Sequence, residues 1–154
     1  MQRRIKTTYN VLMGCYILSI IYQAVSIFML NDKNINMAEL IKTDSAFAIR
    51  FVTLFMFIIS MLAFIKIADP MTKKSEIDYN RFLVLLILFI SQLLLQQVVI
   101  IVGYVIFIYL LGSHNLDFKK LFSNLNFSGL GLELSLSIIV LLINAFVLFA
   151  YYKI

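Results

Sequence analysis

Residues 82–112 run for 31 positions without a single charged side chain. A surface helix in water keeps a charged face, and a strand rarely exceeds about ten residues. A bilayer core about 30 Å thick takes roughly 20 apolar residues as one helix. The stretch therefore sets hydrocarbon, rather than water, as the solvent of this chain. Three more apolar stretches, residues 8–30, 45–65 and 134–152, have the same character. Composition agrees. The chain is 62% hydrophobic and 14% charged, with a mean hydropathy of +0.98, whereas soluble domains are nearer half apolar and a quarter charged. Helices are expected because lipid cannot satisfy an open sheet edge, and these stretches do not alternate as barrel strands do. The expected fold is an all-α membrane domain over residues 1–154. It is an antiparallel four-helix transmembrane bundle with a short amphipathic helix on its outer surface.

The charge-free stretch is too long for one upright span. As a continuous helix it measures about 46 Å, and fitting it within the bilayer needs a tilt of roughly 50°, beyond the ordinary range of about 0–40°. The expectation is that this helix projects past the outer interface, carrying Tyr104 and Tyr109 to that level, or bends near Gly103.

The net charge of +5 does not read as a nucleic-acid surface, because the basic residues flank the apolar stretches, where they set topology. Arg3, Arg4, Lys6, Lys66, Lys73, Lys74, Arg81 and Lys153 fall on one side of a four-span layout. Lys33, Lys42, Arg50, Lys119 and Lys120 fall on the other. The excess places both termini and the middle loop in the cytoplasm of a multi-pass cell-membrane protein. The opening Met1-Gln-Arg-Arg-Ile-Lys6 precedes an apolar run longer than a signal-peptide core. Phe28-Met-Leu-Asn-Asp32 offers no small-x-small cleavage site, so the first span is expected to be retained as an anchor.

Between the spans, Asn36-Met-Ala-Glu39 has the spacing of a helix cap with an acid three residues on, predicting a short helix over residues 37–42. Asp44 or Ser45 then caps the second span, and Pro70 is expected to end it. Phe118, Leu121, Phe122 and Leu125 follow helical spacing with polar residues between them, predicting the amphipathic surface helix. Together with Lys73 and Lys74 of the inner loop they form a candidate partner surface. Asn126-Phe-Ser128 matches a glycosylation sequon, a pattern frequent by chance.

Each span carries a weakly polar stripe: Cys15, Ser19, Gln23 and Ser26; Thr53, Met56, Ser60 and Ala63; Gln92, Gln96 and Gly103; Glu133, Ser137 and Asn144. In lipid, small and amide side chains mark helix–helix contacts. Gln23, Gln92, Gln96, Gln97 and Asn144 are the candidate polar or ligand-contacting residues of the bundle interior, since three glutamines in one span exceed what packing asks.

Catalytic chemistry has little to build on. His114 is the single histidine and Cys15 the single cysteine. The cysteine reads as a small buried apolar residue. The middles of the spans hold no ionisable residue of the kind that proton-driven transporters place there. Neither a nucleophile–base pair nor a metal-ligand spacing is present, nor a phosphate-binding or hydrolase motif. The expectation is a non-enzyme with no metal and no cofactor.

The stretch from Asp69 to Arg81 leading into the third span, and Leu121-Phe-Ser-Asn-Leu-Asn-Phe-Ser-Gly-Leu-Gly131 ahead of the last, resemble a four-span membrane family of Gram-positive bacteria, domain of unknown function 2975. Members are often paired with small helix-turn-helix regulators, so the resemblance implies a membrane regulatory partner; it carries over no catalytic residue. The expected function is a small non-enzymatic accessory or regulatory membrane protein, immunity-like or the partner of a regulator or larger complex. Its partners are the lipid bilayer and a membrane or cytoplasmic protein, not nucleic acid. The alternative is a small pore or transport subunit with a glutamine-lined interior.

Overall fold

A computed structural model describes residues 2–30, 37–73, 78–95, 97–113 and 129–153. The secondary structure among them is helical, with no strand. In chain order the helices are α1 (Gln2–Leu30), α2 (Met37–Thr43), α3 (Ser45–Lys73), α4 (Tyr79–Leu94), α5 (Val98–Gly112) and α6 (Gly131–Lys153). Three of them, α1, α3 and α6, are long and apolar enough to cross a membrane. At 1.5 Å per residue, α1 and α3 are each about 43 Å long and α6 about 34 Å, while α4 and α5 reach only about 24 Å and 22 Å.

The predicted third span is therefore two helices, and they fold back on each other. Phe89 of α4 and Tyr104 of α5 stack with ring centroids 5.9 Å apart. In one straight helix their backbones would be about 22 Å apart. The chain leaves α4 at Leu95, whose N–H reaches back to the Gln92 carbonyl at 3.2 Å. It re-enters a helix after Gln97, which has a non-helical ψ of 87° and no side-chain cap. The break lies at residues 95–97, not near Gly103, which sits inside α5. Gly103 serves a close approach instead: a Cβ there would come within 2.7 Å of the Leu12 side chain of α1.

Helix directions follow from the contacts. Tyr9 stacks on Phe64, while Tyr22 and Ser26 line one cleft with Ile49 and Thr53, so α1 and α3 are antiparallel. Leu110 lines one recess with Arg3 and Thr7, and Gly103 lies against Leu12, so α5 runs back down α1. Arg81 faces Glu133, Ser91 binds Asn144, and Leu95 lines one cleft with Leu148, so α4 and α6 are parallel. The start of α1, the end of α3, the start of α4, the end of α5 and the start of α6 all gather at one end of the molecule, the basic end. The end of α6 lies at the opposite end.

This corrects the expected antiparallel four-helix layout in two respects. The start of α1 and the end of α6 lie at opposite ends of the molecule, where the four-span layout set them at one. The helix ends flanking residues 114–128 lie at the basic end, with the start of α1; the expected amphipathic helix itself lies outside the described residues. The physical reason is the hairpin: the predicted third span doubles back on itself, leaving three helices long and apolar enough to cross a membrane.

The central contacts are aromatic. Phe64 of α3 is ringed by Tyr9, Tyr16, Tyr104 and Phe107 at centroid distances of 5.2–5.9 Å. The hydroxyls of Tyr16 and Tyr104 are bonded at 2.9 Å inside this cluster. Both tyrosines are fully buried, so Tyr104 lies in the core rather than at an interface, while Tyr109 is exposed near the end of α5, at the basic end and not at the outer level expected of it.

Arg81 fixes the basic end. Pro70 has no N–H to give the Lys66 carbonyl one turn earlier, yet α3 continues past it to Lys73, where the sequence predicted a stop. Arg81 supplies the missing donor, its Nη1 donating to that carbonyl at 3.0 Å. The same guanidinium lies 3.4 Å from Asp78, the cap of α4, and 4.0 Å from Glu133 in the first turn of α6. At the other end, α2 covers the short helix expected there, and Asp44 Oδ1 accepts from the N–H of Phe47 at 3.1 Å.

Candidate functional site

The hairpin is shorter than the helices beside it, and the space beyond its tip is a cleft of about 370 Å³. Leu94, Leu95 and Gln97 form its floor. Tyr22, Gln23 and Ser26 of α1, Ile49, Arg50 and Thr53 of α3, and Val147, Leu148 and Tyr151 of α6 form its walls. Its volume falls in the ordinary range for small-ligand sites, roughly 300–1,000 Å³.

The polar wall is unequally committed. Ser26 and Thr53 donate their hydroxyls to the carbonyls one turn back, Tyr22 and Ile49, both at 2.8 Å. The side chains of Gln23, Gln97 and Arg50 make no hydrogen bond or ion pair among the described residues. The guanidinium and the two amides are therefore uncommitted donors among the residues that line the cleft, with the glutamine carbonyls as acceptors.

Of the five interior candidates, the structure brings Gln23 and Gln97 together at this cleft. Gln92 and Asn144 lie on its core side, fully buried, and both attach to Ser91: Asn144 Nδ2 donates to the Ser91 carbonyl at 3.0 Å, and Gln92 Nε2 to the Ser91 hydroxyl at 3.4 Å. Gln92 Oε1, Asn144 Oδ1 and the hydroxyls of Ser60 and Ser137 are buried without a partner. Gln96 lies outside the described residues. Sequence reasoning missed Arg50, Tyr22 and Tyr151. Arg50 had been read as a flank of the second span, but its position five residues into α3, about 7.5 Å from the helix start, set it inside the apolar stretch and was the available signal.

Of the candidate partner surface, only Lys73 is described. It is exposed and paired with Asp69 at 2.6 Å; Lys74, Phe118, Leu121, Phe122 and Leu125, like the sequon and His114, lie outside the described residues. Glu133, placed in the interior stripe by its spacing, turns to Arg81 instead. Cys15 is partly buried and beside Gly103 and Leu12, lining a small apolar recess between α1 and α5. No group of three or more potential metal ligands occurs among the described residues.

Comparisons with protein-family models, curated proteins and solved structures give no match. The class defined by the fold is a helical chain with three helices able to cross a membrane.

Proposed function

We propose that this chain is a multi-pass cell-membrane protein with a non-enzymatic accessory or regulatory role, and that the cleft beyond the hairpin tip is where it meets its ligand or partner. α1, α3 and α6 cross the bilayer, and α4–α5 enters from the basic side and returns. The outward faces support immersion in lipid: Leu18, Phe28, Leu142 and Phe146 are all more than 60% exposed, a density of bare apolar surface that water does not tolerate. Among described residues the basic end carries Arg3, Arg4, Lys6, Lys66, Lys73 and Arg81, and the far end Lys42, Arg50 and Lys153. The positive-inside rule then puts the basic end in the cytoplasm and the cleft on the outer side.

The observation that carries the binding role is that the cleft has a floor. Irregular backbone at membrane depth persists where it is packed in protein or lines a wet cavity. The backbone at Leu95 and Gln97 lines a cleft with polar walls, and side chains bonded to Ser91 lie beneath it. A dead-ended polar cleft favours holding something over passing it. The pore reading draws on the four buried polar atoms without partners, which would extend a polar path inward.

Reconstituted liposomes separate the two. The accessory reading expects no ion or small-solute flux, together with a protein that co-purifies from native membranes. Flux that disappears in Gln92→Leu with Gln97→Leu, with helicity retained, would establish the pore and exclude the accessory role.

A further inference from the structure

Arg50 differs from Arg81 in a way that asks for a ligand. Arg81 has two carboxylates and a carbonyl about it. Arg50 is exposed and lines a cleft in which, among the described residues, no side chain is acidic, and the lining there includes two uncommitted amides, Gln23 and Gln97. A guanidinium inside an apolar helix either reaches for water or takes an anion, and its planar fork of donors matches phosphate oxygens two at a time.

We propose that the cleft holds the phosphate of an anionic lipid headgroup, with Arg50 as its counter-ion and Gln23 and Gln97 as flanking donors. The inference rests on the reading of the cleft as the contact site and names what it contacts. The lining decides between a lipid and a free anion. The lining also includes Leu94, Leu95, Val147 and Leu148, which suit the glycerol and first acyl carbons of a lipid and offer a free phosphate nothing. The rim agrees. Tyr22 and Tyr151 are both largely exposed, and tyrosines with one apolar and one wet side settle at headgroup level. A volume of about 370 Å³ admits a headgroup with its glycerol but not a whole lipid, whose chains would leave between the helices.

The test uses the full chain in dodecyl maltoside, with phosphatidylglycerol or phosphatidylcholine added at matched concentrations and bound lipid counted by native mass spectrometry. The expected result is a tightest-bound phosphatidylglycerol that phosphatidylcholine, whose phosphate carries its own cation, does not replace. Arg50→Gln weakens that adduct about tenfold, as loss of one charge-assisted contact implies. Arg50→Lys, which keeps the charge and serves as the folding control, loses less. Arg3→Gln with Arg4→Gln, at the opposite end, keeps the adduct. Inorganic phosphate that binds alone and displaces the lipid would uphold the anion site and assign it to a free anion. Retention of phosphatidylglycerol by a helical Arg50→Gln variant equal to that of the unaltered chain, or equal retention of the two lipids, overturns the proposal. Failure here beside a co-purifying protein removes only the headgroup site. Solute flux with intact Arg50-dependent lipid binding removes only the accessory role.

Discussion

Tyr16 and Tyr104 show how a single buried pair ties two helices that the sequence does not visibly connect. Each hydroxyl has the other as its partner at 2.9 Å, and both side chains are fully buried. Removing one hydroxyl strands the other away from water, whereas removing both leaves two rings that still pack. Tyr16→Phe or Tyr104→Phe alone is expected to destabilise the fold by about 1–2 kcal/mol, and the double variant by less than the sum. Denaturation in mixed micelles measures both; additive costs would mean that the pair is not coupled. Gly103 makes the complementary case for volume. A side chain there must displace Leu12, which is fully buried. Gly103→Leu is expected to cost about 1–3 kcal/mol as overpacking. Adding Leu12→Ala opens the room and recovers part of that cost. No recovery in the same unfolding measurement would show that α5 does not lie on α1 at this register.

At the scale of elements, the hairpin separates what the sequence shows from what it conceals. The apolar stretches, the short α2 and the cap at Asp44 are legible because each depends on residues within one or two turns. The excessive length of residues 82–112 is legible too, and it signals that a simple span does not fit. Where the chain turns is not legible. Neither glycine nor proline stands at residues 95–97, and the one glycine nearby is used for contact with Leu12. Gln96 and Gln97 read equally well as a helix-packing face. Only tertiary partners, Phe89 on Tyr104 and Ser91 on Asn144, decide for reversal. The site divides in the same way. Gln23 and Gln97 stand out as amides in apolar stretches, but they reach one cleft only because α4–α5 stops short of the far end. Arg50 belongs to the site through that same shortfall. Cysteines at positions 89 and 104, in a Cys15→Ser background, are expected to be joined by a short bismaleimide and detected as a bridged peptide pair after proteolysis between them. A continuous helix holds them about 22 Å apart, beyond such a reagent, so absence of the bridge in a folded chain would speak for an unbroken span.

For the whole molecule, the hairpin changes the parity of crossings. In the proposed topology, three crossings and one return put the start of α1 and the end of α6 at opposite faces, and they gather most described basic residues at the face shared by the starts of α1, α4 and α6. Four crossings would return both ends to one face. The polar groups follow the same division: a cationic rim and the Arg81 cluster at one end, the polar cleft at the other, and aromatic packing around Phe64 in between. Labelling of single cysteines at Gln2 and Lys153 with a membrane-impermeant maleimide, in the Cys15→Ser background, tests this arrangement most directly. In intact spheroplasts the account predicts rapid modification at position 153 and modification at position 2 only after the membrane is opened. Equal protection of both positions until lysis would contradict the hairpin and restore four crossings.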